Sequence, residues 1–253
     1  MKYYKELAAL GVFTLEEAAE VMGSSINAPK NLNLMIKSGS IRRIKRNLYT
    51  CINLATGEDL ADRFLIGSKV TEGAFLSFHS AFEYYGFYNQ MFYEIQVASA
   101  QRFAPFEDNG YRYKCFATAS DAQVEMVRGV KVATVERTII DSINMLGKVM
   151  GAEELVKCLQ LIHLVREKRL IEMLRIYDKD ILYRKAGYVL SFFKEPLHIS
   201  DSFFEFCKTQ SNPENVGKLS SMEIGPLEFI PDWGIYGYKN LTGITSKGGE
   251  ADV

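Results

Sequence analysis

Six basic residues, Lys30, Lys37, Arg42, Arg43, Lys45 and Arg46, fall between positions 24 and 50, and no acid interrupts them. Cations at that density bind phosphate. Asn27 and Asn31 stand among them. An asparagine amide can pair with the N6 and N7 edge of adenine, and lysine reaches guanine acceptors or phosphate. Ser24 and Ser25 come just before, where hydroxyls and the free N–H groups of a helix start meet phosphate oxygens. These residue types point to double-stranded DNA as the ligand of Ser24, Ser25, Asn27, Lys30, Asn31, Lys37, Arg42, Arg43, Lys45 and Arg46. A charge run can also be a solvated face or a protein-interaction module, but the lack of any acid over this stretch favours DNA. If about six cations neutralise phosphates, log K falls against log salt with a slope of about −5.

Catalytic constellations are weak by comparison. His79, His163 and His198 are far apart in sequence. His163 lies in the apolar run LQLIHLV and reads as structural. His79 sits between Ser77 and Ser80, but side chains one or two positions apart do not share a helix face. Arg137 and Asp141 are four apart on one predicted helix, with Glu136 beside them, and read as a structural ion pair. Glu94-Ile95-Gln96 is a degenerate version of the acid triplet that nucleases place on strands. Cys51, Cys115, Cys158 and Cys207 form no CxxC pair. No P-loop and no dinucleotide-binding glycine fingerprint is present. The expectation is a protein that is not an enzyme, with no metal and no cofactor.

The elements that position the basic residues are readable from period and punctuation. Tyr3, Tyr4, Leu7 and Leu10 recur at helical spacing over 2–10, and Gly11 stops the helix. Thr14 and Glu17 form a capping box, with Phe13 and Ala18 at the staple positions. Leu15, Ala18, Ala19 and Met22 then give the buried face of a helix over 15–22, which Gly23-Ser24-Ser25 breaks. A third helix starts near Asn27 with Pro29 in its first turn. Leu32, Met35 and Ile36 face inward, and Gly39 closes it. That leaves Asn27, Lys30, Asn31, Leu34 and Lys37 towards solvent. The runs SIRRI and LYTCI form a β-hairpin whose tip carries Lys45, Arg46 and Asn47, the last suited to a left-handed turn. Ile41 and Ile44 cannot both point inward in a regular strand, so the facing of Arg42 and Arg43 stays open and Arg46 is the safer DNA contact. Helix, helix, turn, helix and hairpin make a winged helix-turn-helix over 1–55.

The remainder, 56–253, reads as a mixed α/β, largely helical C-terminal domain, so the fold class is α+β. A connector over 53–62 enters a helix over 59–70. Residues 75–116 hold 14 aromatics in 42 positions and read as an aromatic core. A helix over 77–85 precedes the strands EIQVAS, YRYKCFA, VEMV and VKVA. Helices follow over 134–146, 151–163, 166–177, 180–194 and 200–209. LEFIPDWGIYGY closes the pattern as extended structure packing Trp233. The net charge of −1 conceals a division of labour. Residues 24–50 carry +6, whereas 51–253 carry 22 basic and 27 acidic residues. No apolar run reaches the roughly 18–20 residues of a membrane span, and no secretory signal is visible. A cytoplasmic location and no membrane partner are expected.

Four segments in order, FTLEEAAEVMG, NLNLMIKSGSIRRIKRNLYT, GAFLSFHSAFEYYGFYNQM and VKVATVERTIIDSI, resemble the AbiEi family of antitoxins and transcriptional regulators of type IV toxin–antitoxin systems. Leu32, Lys37, Gly39, Arg42, Arg43 and Tyr49 match the family's N-terminal pattern. Ser77, Ser80, Ala81, Glu83 and Gly86 match its next motif, and Val132, Ala133, Glu136, Arg137 and Asp141 its later one. DWGIYGY is similar to a closing tryptophan strand. The resemblance spans about 10–240. Two departures stand out: Asn47 replaces the usual wing-tip glycine, and the central aromatic block is unusually rich. The resemblance implies a repressor that binds inverted repeats in its own promoter. It also implies an antitoxin that antagonises a nucleotidyltransferase-like toxin without needing a stable complex with it. The alternatives are a winged-helix regulator whose larger domain binds another protein or an effector, and a nuclease-like enzyme.

Overall fold

The computed structural model describes residues 2–212, 214–220, 222 and 226–246. The fold is mixed α+β. The chain divides into two compact units, one made of 1–76, 93–119 and 126–132, the other of 77–92, 120–125 and 133 onward.

The first unit begins with α1 (Tyr4–Leu10), β1 (Val12–Phe13), α2 (Leu15–Met22), α3 (Ala28–Lys37), β2 (Ile41–Lys45) and β3 (Leu48–Cys51). The start of α2 has the expected capping box. The Thr14 hydroxyl accepts from the Glu17 N–H at 3.2 Å, and the Glu17 carboxylate accepts from the Thr14 N–H at 2.7 Å. The end of α3 is a Schellman turn around Gly39, whose φ is +72°. The Gly39 N–H donates to the Ile36 carbonyl and the Ser40 N–H to the Met35 carbonyl, both at 3.0 Å. Leu7, Phe13, Ala18, Met22, Ala28, Leu32, Met35 and Ile41 pack together as one core. Each large aliphatic or aromatic side chain buried there stabilises the unit by about 1.5–3 kcal/mol relative to exposure.

Val12 and Phe13 form a strand where the sequence reading assigns only a staple role to Phe13. β1 pairs antiparallel with β3, Val12 opposite Thr50, giving a sheet of order β1-β3-β2. The hairpin register explains the isoleucine puzzle. Arg43 pairs with Tyr49 and Lys45 with Leu48, so Ile44 is an extra residue in a β-bulge. The bulge resets the alternation, and Ile41 and Ile44 are both buried.

The helix after the hairpin is shorter than the expected 59–70. It is α4 (Arg63–Ser68), capped by the Asp62 carboxylate, which accepts from the Phe64 and Leu65 N–H groups. A bridge between Ile52 and Asp59 keeps the preceding residues in a loop. The strands β4 (Phe75–Leu76), β5 (Glu94–Ser99), β6 (Phe106–Asp108), β7 (Tyr111–Ala117), β8 (Val124–Val127) and β9 (Val130–Ala133) form a sheet of order β6-β7-β5-β4-β9-β8. β5 and β7 run parallel from Glu94 opposite Arg112 to Ser99 opposite Ala117. A Cβ on Gly67 of α4 would stand 3.0–3.4 Å from Ile95, Leu76 and Val97, so its absence lets α4 lie close on the sheet.

The second unit is mostly helical: α5 (Phe78–Tyr85), α6 (Val135–Asn144), α7 (Ala152–Gln160), α8 (Glu167–Tyr177), α9 (Asp180–Ser191) and α10 (Asp201–Thr209). A small sheet of order β10-β12-β11 joins Gly217–Lys218, Ile235–Gly237 and Glu228–Ile230. The expected Arg137–Asp141 pair is present at 3.3 Å and fully buried. Ser77 Oγ donates to Asp141 at 2.6 Å and Tyr177 OH at 2.5 Å, so the carboxylate holds three partners from three parts of the unit. Arg137 also donates to the Ser120 and Ala122 carbonyls. His163 departs from the structural reading and is exposed. α7 ends at Gln160, which breaks the helical period of LQLIHLV. Ile162 and Val165 are buried while Leu164 is 71% exposed.

Candidate nucleic-acid interface

α3 presents one polar face. Its core side, Ala28, Leu32 and Met35, is buried. The opposite side exposes Asn27, Lys30, Leu34 and Lys37, with Asn31 half-buried. Ser24, Asn27, Lys30, Asn31 and Leu34 line an open depression together with Lys2, Tyr3 and Met22. Among the described residues of 24–50 no carboxylate faces this surface, because none is present in the sequence there.

The individual groups differ in what they can offer. Ser24 Oγ accepts from the Asn27 N–H at 3.2 Å, which holds the turn before α3 and leaves its hydroxyl proton to donate. Ser25 is exposed. Asn27 makes no side-chain capping bond, so both ends of its amide can pair with a base. Asn31 Nδ2 is directed at Met22 Sδ at 3.7 Å, which leaves its carbonyl oxygen as the readier contact. Two apolar residues are exposed here, Leu34 as the sequence expects and Ile26, which the sequence reading does not single out. Ile26, 88% exposed, precedes the helix, and Leu34, 56% exposed, lies on its outer face. Isolated apolar side chains on such a face suit thymine methyl groups. The signal available for Ile26 was its place in the turn before α3, outside the buried helical period.

The hairpin separates the four cations that the sequence grouped together. Arg43 and Arg46 are exposed. Arg42, in regular register opposite Thr50, is turned the other way. Its Nε donates to Asp59 Oδ1 at 2.6 Å, and Nη2 reaches Asp59 Oδ2. Nη1 and Nη2 also reach the two Asp108 oxygens at 2.6 and 2.7 Å. The bonds to Asp59, then those to Asp108, hold the guanidinium proton more tightly than usual. Arg42 is therefore a clasp within the first unit, and its assignment to DNA is corrected. Lys45 is also withdrawn. Its Nζ lies 5.0 Å from the ring centres of both Phe103 and Phe106, and burial lowers its pKa. An ammonium held on two aromatic faces is a cation–π contact, not a phosphate clamp, so Lys45 is corrected likewise.

The tip itself is braced. Asn47 has φ +60°, the left-handed conformation expected of it. Its Oδ1 accepts from the Leu15 N–H at 3.0 Å, and its Nδ2 donates to Glu16 at 2.8 Å. The surface that remains combines Lys30 and Lys37 on α3 with Arg43 and Arg46 on the hairpin. It can hold phosphates and touch base edges.

Among the described residues no helix is long and apolar enough to cross a membrane. No family model and no curated protein matches the chain. Among solved structures, the RV2827C protein from Mycobacterium tuberculosis is similar in fold, with a TM-score of 0.61 at 15% identity. The likeness covers 93% of this chain and 91% of that one, and at this identity it speaks for the fold alone.

Proposed function

We propose that the protein is a winged helix-turn-helix DNA-binding autoregulator, and an antitoxin of the type IV kind. In this reading α3 is the recognition helix and the β2–β3 hairpin is the wing. A recognition helix enters the major groove with its N-terminal residues at base edges. Asn27 reads bases, with Asn31, Ser24 and Ser25 beside it, while Lys30, Lys37, Arg43 and Arg46 hold phosphates. The observation that carries the reading is the exposure of Lys30 and Lys37 on α3 and of Arg43 and Arg46 on the hairpin, within a stretch of chain that contains no acid. The fold-level likeness over nearly the whole chain adds no function to it. The antitoxin role and the promoter repeats rest on the AbiEi resemblance, with a nucleotidyltransferase-like toxin as the functional partner.

The test is a gel shift with the duplex immediately upstream of the protein's own gene. A salt-sensitive shift is expected, lost in the Lys30→Ala, Arg46→Ala double variant. No shift, or an equal shift by that variant, overturns the reading.

A further inference from the structure

A histidine, a glutamate and a cysteine meet inside the second unit. His79 on α5 and Cys158 on α7 are fully buried, and Glu154 on α7 is 4% exposed. Glu154 and Cys158 are four residues apart, so α7 presents both on one face. His79 Nε2 lies 3.1 Å from Glu154 Oε1, and Cys158 Sγ lies 3.6 Å from the same oxygen. All three ligand atoms fall within 4.8 Å of one another. Around a tetrahedral zinc ion, with bonds of about 2.0–2.3 Å, nitrogen and sulfur ligands stand roughly 3.4 and 3.6 Å from an oxygen ligand. The two separations from Glu154 Oε1 are close to those values.

The surroundings fix the donors. The His79 ring stacks on Phe92 with centroids 3.6 Å apart and an interplanar angle of 9°. The Asn89 and Gln90 N–H groups donate to Glu154 Oε1 at 3.2 and 3.4 Å, and Asn89 Nδ2 to Oε2 at 3.4 Å. Outer hydrogen bonds of this kind orient the ligands of metal sites. Glu154 also lines a cleft of about 240 Å³ with Asn89, Gln90, Phe92 and Lys157.

We propose that His79, Glu154 and Cys158 bind one zinc ion, which ties α5 to α7. Imidazole and thiolate donors select zinc over calcium or magnesium, which prefer all-oxygen shells. The Cys158 thiol proton passes to solvent as the sulfur–zinc bond forms, since the thiolate is the ligand. The site escapes a sequence motif search because His79 lies 75 residues from Glu154.

The experiment uses the full chain, stripped with a chelator and titrated with cobalt(II), then zinc(II). One cobalt per chain is expected, with the visible bands of four-coordinate cobalt and a near-ultraviolet thiolate-to-cobalt band. Zinc should displace the cobalt and raise Tm. Cys158→Ser should abolish the thiolate band, and Glu154→Gln should weaken zinc binding by more than about tenfold. A wild-type chain that shows no thiolate band with stoichiometric cobalt overturns the proposal, and this needs no variant to fold. So does a band that survives Cys158→Ser in a chain with the wild-type circular dichroism. DNA binding is scored separately, so this test is independent of the regulator reading.

Discussion

Asn47 Nδ2 donates to Glu16 Oε2 at 2.8 Å, which joins the tip of the hairpin to the first turn of α2. The bond from Asn47 is the largest cause that lowers the Glu16 pKa below its ordinary 4.5. A depressed carboxyl contributes stability that is present above its unfolded value and is lost as pH falls through the folded value. The brace is therefore complete above about pH 4.5 and loosens in more acidic solution. Asn47→Gly keeps the left-handed turn but removes the donor. Its Glu16 should titrate closer to the ordinary value, read by carboxyl NMR. Equal midpoints in the two proteins would contradict the role given to Asn47.

Arg42 and Arg46 should separate stability from binding. Arg42 serves Asp59 and Asp108, whose side chains are only 11% and 7% exposed. Truncating it leaves two carboxylates uncompensated, and Arg42→Ala should cost about 2–4 kcal/mol in urea unfolding. Arg46→Ala sits on an exposed turn and should change stability by less than about 0.5 kcal/mol. Its effect belongs to DNA affinity. Equal stability of the two variants would show that the clasp carries no weight.

Much of this arrangement was legible beforehand. The capping box at Thr14, the Gly39 stop and the Asn47 turn are local devices, set by residues a few positions apart. The facing of Arg42 and Lys45 was not, because their partners are remote. Asp108 is 66 residues from Arg42, and Phe103 and Phe106 lie 58 and 61 positions beyond Lys45. The bulge at Ile44 was visible only as a conflict between Ile41 and Ile44. His163 was misread because its apolar run continues past the end of α7, where helical period no longer assigns faces.

Gly187 and Trp233 make a close approach in the second unit. A Cβ at Gly187 would stand 2.1 Å from the indole ring, and the ring is 7% exposed. Gly187→Ala must displace a rigid aromatic, which should cost about 1–3 kcal/mol. Trp233 is the single tryptophan, so its fluorescence should shift to the red as it gains solvent. An unchanged spectrum and stability would contradict the packing described.

Tyr177 donates to a buried, charged acceptor, Asp141 Oδ1, at 2.5 Å. Tyr177→Phe removes the donor and leaves the carboxylate to Arg137 and Ser77. A hydrogen bond to a charged group contributes about 1.5–3 kcal/mol, and the loss should appear in urea unfolding at neutral pH. A change under about 0.5 kcal/mol would show that the hydroxyl is dispensable.

The most direct test of the regulator reading is the salt dependence of binding to the upstream duplex. With Arg42 and Lys45 withdrawn, Lys30, Lys37, Arg43 and Arg46 remain for phosphates. Four such contacts give a slope of log K against log salt of about −3.6, where six would give about −5.4. Arg46→Ala should reduce the magnitude by about 0.9, and Arg42→Ala should leave it unchanged in protein that remains folded. A slope that Arg42→Ala reduces and Arg46→Ala does not, or binding with no salt dependence, would contradict the account.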